Sequence, residues 1–349
     1  MRFFVTGALG FIGAHFIDRA LAEGHTVLGL YRSASGRKER LLRSLTDKGA
    51  HLKRGDVLDP NSYRPLLTGV ECVCHFAAAF NGPFHSEQEF HDINVKGTEA
   101  LLLSAADCAV QRLVFCSTAG IYGQHVPGII DESATPQPWN AYERSKHAAE
   151  ERVRTLASQR QMQFVILRPA VVYGPGDERL LKLFRSASKG QFPLFGSGRG
   201  RRHMIHVSDV ANAFLLACTR DSAANQEMIV AGPEAVPLCD LLKKLATVLE
   251  RRRCGPRLPL APMLFLAAVV EDLCRWLGVR PPISRRRMGF YISDAAFDCT
   301  RAKQLMGWEP VIGLSEGLQD TCESYEGGSL INRGRVPSPW SLPDAPARD

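Results

Sequence analysis

The sequence predicts an α/β protein built on a doubly wound parallel sheet, with a smaller and mainly helical lobe toward the C-terminus. Three observations carry that expectation. Short apolar runs alternate with helix-patterned stretches through the first half of the chain. The runs are continuous in hydrophobicity, as strands buried on both faces are, and not alternating. Enough residues separate them for crossover helices, which parallel neighbours require.

Taken in order, Phe3-Phe4-Val5 opens the sheet and runs into Thr6-Gly7-Ala8-Leu9-Gly10-Phe11-Ile12-Gly13, where a strand turns into a helix. Further runs are Thr26 to Leu30, Val70 to Phe76, Leu113 to Cys116 and Phe164 to Leu167, and a third strand is placed just ahead of Gly55-Asp56-Val57. From Gly174 the pattern loosens into the loop Gly196-Ser197-Gly198-Arg199-Gly200, then a helical stretch and proline turns up to Pro281-Pro282. Residues 1–173 are accordingly read as the sheet domain and 174–326 as the lobe, with about 203–232, beginning at the run Met204 to Val207, returning to the core sheet. The last stretch, 327–349, carries four prolines and little apolar periodicity and is read as a flexible tail.

At 349 residues the chain is long enough for one large core and an added lobe. Its 45% hydrophobic and 23% charged content is that of an ordinary globular protein and excludes disordered and fibrous classes. The net charge of +7 is scattered except at Arg251-Arg252-Arg253 and Arg285-Arg286-Arg287, with no interleaved aromatic residues, so no nucleic-acid partner is expected. Ten cysteines include no Cys-x-x-Cys pair, so no metal site is expected and the thiols are read as reduced. Because the chain enters a strand at once, no removable signal peptide is expected, and a cytoplasmic location is.

The glycine segment has the pattern of a dinucleotide loop. Gly7 permits the tight turn, Gly10 lets backbone approach a pyrophosphate, Gly13 allows close helix packing, and the helix N-terminus faces the anion at Phe11 and Ile12. The second strand ends in Tyr31-Arg32-Ser33 with no carboxylate to repel a ribose phosphate, and Arg32, helped by Ser33 or Arg37, favours NADP over NAD. Asp56 and Val57 come after the third strand, and Ala77 to Ala79 after the fourth, where small side chains let backbone pass close to a cofactor.

After the fifth strand comes Cys116-Ser117-Thr118-Ala119-Gly120, and Asn140-Ala141-Tyr142-Glu143-Arg144-Ser145-Lys146 then starts a helix. The four-residue spacing stacks Tyr142 and Lys146 on one helical face. A phenol titrates near pH 10, so acid/base work at neutral pH needs its anion stabilised by about three pH units, roughly 4 kcal/mol. An adjacent ammonium and a cationic nicotinamide supply that. Tyr142 is the candidate acid/base, Thr118 the hydrogen-bond partner of the same substrate oxygen, and Lys146 a further contact to the cofactor ribose.

With these motifs in this order, the chain resembles the extended short-chain dehydrogenase/reductase family, also called the epimerase/dehydratase family, over roughly residues 1–320. Asn94 in Ile93-Asn94-Val95-Lys96-Gly97-Thr98, Arg168-Pro169 with Val172-Tyr173-Gly174-Pro175-Gly176, and Asp298 to Lys303 ahead of Gly307-Trp308 match it too. The resemblance implies a Rossmann fold, Tyr142 as acid/base, Ser117, Asn94 and Pro169 at the cofactor, and a homodimer.

The substrate stays open between two readings. Arg202 in Arg202-His203-Met204-Ile205-His206 falls where the resemblance places a diphosphate-holding arginine of nucleotide-sugar epimerases, with Arg287 as a second phosphate contact. Against dehydration, Thr118 is followed by Ala119-Gly120 where dehydratases carry an Asp-Glu pair. The segment Leu258 to Leu277 instead resembles the apolar insertion of the 3β-hydroxysteroid and sterol dehydrogenase branch. It is too short to span a bilayer and is expected to cap an apolar pocket, to lie on a membrane surface, or to serve as a core helix of the lobe. A dehydrogenase of a ring alcohol, sterol-like, is placed ahead of the sugar epimerase. A catalytically silent NADP-binding sensor is the alternative outside enzymes.

Overall fold

The computed structural model describes residues 1–80, 86–124, 128–276, 289 and 291–325. The proposed tail at 327–349, the proline turns at 281–282 and Arg287 lie outside them.

Seven parallel strands form the central sheet: β1 Arg2–Thr6, β2 Thr26–Tyr31, β3 His51–Arg54, β4 Cys72–His75, β5 Arg112–Cys116, β6 Gln163–Pro169 and β10 Gln226–Val230. Their spatial order is β10-β6-β5-β4-β1-β2-β3, so the winding reverses between β1 and β4. Ligand crevices of such sheets open at that reversal, outside the carboxyl ends of the strands. The fold is the doubly wound Rossmann arrangement that the apolar runs predict.

Period-two alternation explains how each strand serves both faces. Phe3 and Val5 join the core formed with α1 (Phe11–Ala22) and α7 (Val207–Thr219), while Phe4 turns to the core formed with α4 (Gly97–Asp107) and α5 (Ala141–Gln159). Each fully buried phenylalanine of these layers contributes roughly 1.5–3 kcal/mol. On α5, Ala149, Val153 and Ala157 repeat at four-residue spacing against the sheet. That packing fixes the rotation of the helix and so where Tyr142 and Lys146 point.

The run Met204 to Val207 does not enter the central sheet. Most of it lies in β9 (Arg201–His206), the middle strand of a three-stranded sheet between β7 (Val171–Tyr173) and β11 (Ala235–Pro237). The strand that returns is β10, beside β6. Both segments are apolar and buried, so hydrophobicity alone does not distinguish their partners. The lobe core gathers α6 (Leu181–Ser188), α8 (Leu238–Val248) and the helix Leu314–Ser324 around Phe184, Leu241, Leu245 and Leu318.

Among the described residues, Cys72, Cys74 and Cys218 are the one group of three potential metal ligands whose ligand atoms all approach within 4.8 Å. They lie buried between β4 and α7. The alternation of Cys72 and Cys74 on one strand face is visible in the sequence, but the helical cysteine opposite is not.

Candidate active site

Two clefts meet over the carboxyl ends of β1 and β4, sharing Gly10, Phe76, Ala78 and Phe80. The smaller, about 280 Å³, is lined by Gly7, Arg32, Ser33, Asp56, Val57, Ala77 and Ala79. The larger, about 670 Å³, is lined by Phe11, Ile12, Gly13, Ser117, Thr118, Tyr142, Lys146, Pro169 and Arg202. All but three of the expected site residues, Arg287, Asn94 and Arg37, therefore border one continuous groove. Arg287 is outside the described residues, and Asn94 lines neither cleft. The Asn94 amide accepts from Ala79 N–H at 2.7 Å and donates to Ala79 C=O at 3.1 Å and Ser145 Oγ at 2.8 Å. Its geometry braces the β4 loop against α5 from behind.

The glycine loop is built around one carbonyl. Gly7 has φ +68°, and its oxygen accepts from Gly10 N–H at 2.8 Å. A Cβ on Gly13 would stand 2.4 Å from that oxygen, which leaves room only for glycine. The helix α1 begins at Gly10 with no side-chain cap, so its first amides, at Phe11 and Ile12 on the groove wall, suit an anion. Among the described residues Ser117 Oγ is buried without a hydrogen-bond partner, a second polar atom that a ligand would satisfy. These features fit a dinucleotide laid across the two clefts.

At the adenosine end, Arg37 departs from expectation. It is buried and its Nε pairs with Glu178 at 3.3 Å, while Lys38, one residue later, lines the smaller cleft with Arg32 and Ser33. The helical phase of α2 (Arg37–Asp47) makes the exchange: Arg37 turns inward with Leu41 and Leu45.

Thr118 caps the 3-10 turn after β5, its Oγ1 accepting from Gly120 N–H at 3.1 Å. The hydroxyl proton is therefore left to donate elsewhere. Asn140 caps α5 by accepting from Glu143 N–H at 3.0 Å, which starts the helix one residue before Tyr142. The Tyr142 ring meets Phe80 edge-on at 4.8 Å. Burial holds its phenol well above the ordinary range, with the Cys116 thiol adding to the shift and Arg179 opposing it. Lys146 is fully enclosed with its Nζ 3.9 Å from the Phe115 ring centre. Burial pulls its ammonium down from 10.5 to about 8, against Cys116 and Glu150.

Other groups in the groove were not read from the sequence. Arg179 lies between Phe11 and Phe80, at 5.5 and 5.3 Å from their ring centres, and is held by Asp177 at 2.7 and 2.9 Å. Glu143 accepts from Trp139 N–H and Nε1–H at 3.2 and 3.1 Å. Glu143 sits within the Asn140 to Lys146 segment and bonds locally, whereas Arg179 belongs to no short local motif: it enters from a loop of the lobe, and only the folded chain sets it beside Tyr142. Arg202 lines the larger cleft, but its Nη1 donates to the carbonyls of Arg201, at 2.8 Å, and of Ser293. Burial lowers it to about 10.

Against known proteins, the family model of the NAD dependent epimerase/dehydratase family matches residues 3–232. The chain is 26% identical to the 2-alkyl-3-oxoalkanoate reductase of Stenotrophomonas maltophilia, over 91% of this chain and 98% of that one. It is 27% identical to a UDP-glucose 4-epimerase of Mycolicibacterium smegmatis, over 94% and 100%. It is 26% identical to a 3beta-hydroxysteroid-dehydrogenase/decarboxylase of Arabidopsis thaliana, over 92% of this chain and 61% of the longer plant protein.

Proposed function

The chain belongs to the NAD dependent epimerase/dehydratase family, and from that premise we propose that it moves a hydride between a nicotinamide and the secondary alcohol or ketone carbon of an apolar substrate, sterol-like or alkyl-bearing. The observation that carries the substrate class is the apolar part of the lining of the cleft that holds Tyr142. Leu183, Phe184, Leu241, Leu245 and Leu318 make it, from α6, α8 and the last helix, with Leu180 just ahead of α6. Among the described residues three arginines border the cleft, and two are already answered by carboxylates, Arg179 by Asp177 and Arg201 by Asp294. A nucleotide diphosphate would have to compete with both. The reductase and the steroid dehydrogenase among the relatives support an apolar substrate.

When bound, the nicotinamide supplies the carbon that gives or takes the hydride and, in its oxidised form, a positive charge in the groove. Everything else falls to the chain. Tyr142, kept protonated by its burial, gives its phenolic proton to the carbonyl oxygen in reduction and recovers it in oxidation. Thr118 donates its free hydroxyl proton to the same oxygen. Lys146, one turn along the same face as Tyr142, makes the transient phenolate tolerable and holds the nicotinamide ribose. Arg32, Ser33 and Lys38 receive the ribose phosphate of NADP.

A series of ketones of increasing alkyl length tests the substrate class. Each added methylene should raise kcat/KM about fourfold until the wall is filled, the equivalent of about 0.8 kcal/mol per buried CH₂. A flat series would contradict it. The second reading, a nucleotide-sugar epimerase, is favoured by Arg202 and by the mycobacterial relative. Interconversion of UDP-glucose and UDP-galactose with no net change in nicotinamide absorbance would establish it. A protein that binds NADP but turns over neither class would instead be a sensor.

A further inference from the structure

The helix α9 (Leu260–Trp276) is apolar on two sides and packs with one. Its inner side, through Leu260, Met263, Leu264 and Ala267, rests on Phe195 and Tyr291. On the outer side Pro262, Phe265, Leu266, Val269 and Leu273 are exposed, at the i, i+3, i+4, i+7, i+11 spacing of a single helical stripe. Phe265 is 74% and Leu273 53% exposed, and Leu258, just ahead of the helix, is 40% exposed. A stripe of this kind on a soluble surface marks an interaction site. None of the described side chains of the helix lines either cleft, so among the described residues it does not cap the substrate pocket.

The chain leading into the helix is basic, while the helix itself carries Glu271 and Asp272. Arg251, Arg252, Arg253 and Arg257 are exposed and make no ion pair among the described residues. Strand β12 (Arg257–Leu258) pairs with β8 (Leu194–Phe195), and Phe195 sits directly under α9. One small sheet thus ties the arginine tract to the base of the apolar stripe. Among the described residues no helix is long and apolar enough to cross a membrane. An apolar helical stripe beside a run of arginines is instead the chemistry of an in-plane contact, apolar side chains at the acyl boundary and guanidinium groups at anionic headgroups.

We propose that α9 and the 251–257 arginines seat this protein on the surface of an anionic bilayer. The seat holds for either substrate reading above. Cosedimentation of the full chain with vesicles of phosphatidylcholine mixed with phosphatidylglycerol, and of phosphatidylcholine alone, tests it. The wild type should bind the anionic vesicles and release them as salt is raised. The double variant Phe265→Ser/Leu273→Ser should bind at least roughly tenfold more weakly. The triple variant Arg251→Glu/Arg252→Glu/Arg253→Glu should lose on the order of a hundredfold. Turnover of a dissolved ketone and the circular dichroism spectrum should be unchanged in both variants, since none of these residues touches the cleft. Absence of wild-type binding, or binding that neither variant weakens, would overturn the proposal. So would a wild-type dimer in sedimentation velocity that Phe265→Ser/Leu273→Ser splits while no vesicle is bound, because the stripe would then face a second copy.

Discussion

Tyr142 and Lys146 share one helical face, yet burial moves both toward their neutral forms. The proposed catalysis asks one to donate a proton and the other to carry a charge. Tyr142→Phe removes the proton while keeping the ring against Phe80, and kcat in single-turnover reduction should fall by about 10²–10⁴ with cofactor affinity retained. Because Lys146 is lowered to about 8, it is charged below that pH and loses its proton above it. kcat/KM for reduction should therefore decline above an apparent pKa near 8 in a pH profile. Stability runs the other way. A lysine whose folded pKa lies below its unfolded value costs the fold most at low pH, and the cost is relieved as pH rises from about 8 through 10.5. Lys146→Met should consequently be inactive but more stable at pH 7, by about 3 kcal/mol at most, in urea unfolding. At the other end of the groove, Arg32→Asp should lower kcat/KM with NADPH by roughly ten- to a hundredfold and leave NADH little affected.

The elements hold these residues through a buried network. Glu150, on α5 one turn past Lys146, accepts from Arg168 Nε at 2.9 Å and Nη2 at 2.7 Å and from Arg154 at 2.9 Å. Arg168 also donates to Tyr122 Oη at 2.8 Å and pairs with Glu227 of β10. The helix that carries Tyr142 and Lys146 is thus bound to β6 and the sheet edge. Glu150→Ala leaves a buried guanidinium without its main partner and should cost about 3–5 kcal/mol in denaturant unfolding. Much of this level is legible from the sequence. Strands buried on both faces show as unbroken apolar runs, and the glycine loop and the Tyr-x-x-x-Lys spacing are local patterns. What escapes depends on pairing across distance. β3 reads His-Leu-Lys-Arg, with no apolar run of its own, and only the Gly55-Asp56-Val57 turn at its end places it. β9 and β10 look alike until their neighbours are known. Arg37 and Lys38 trade roles through helical phase, and Asn94 acts through a loop fifteen residues away.

For the whole molecule, a groove that crosses from the sheet domain into the lobe means that cofactor and substrate bind the folded state alone. Saturating NADPH should raise stability by about 2.7 kcal/mol at a hundredfold excess over Kd, visible as a higher Tm. The lobe contributes the apolar wall, so substrate class is a property of how α6, α8 and the last helix close over Tyr142, which no short motif encodes. The most direct measurement tracks nicotinamide absorbance as the protein meets NADPH with apolar cyclic and long-chain ketones, and separately NAD with UDP-glucose. An apolar-ketone reductase should oxidise NADPH with these ketones, lose that activity in Tyr142→Phe, and leave the sugar nucleotide unchanged. Conversion of UDP-glucose to its epimer with every ketone inert would contradict it.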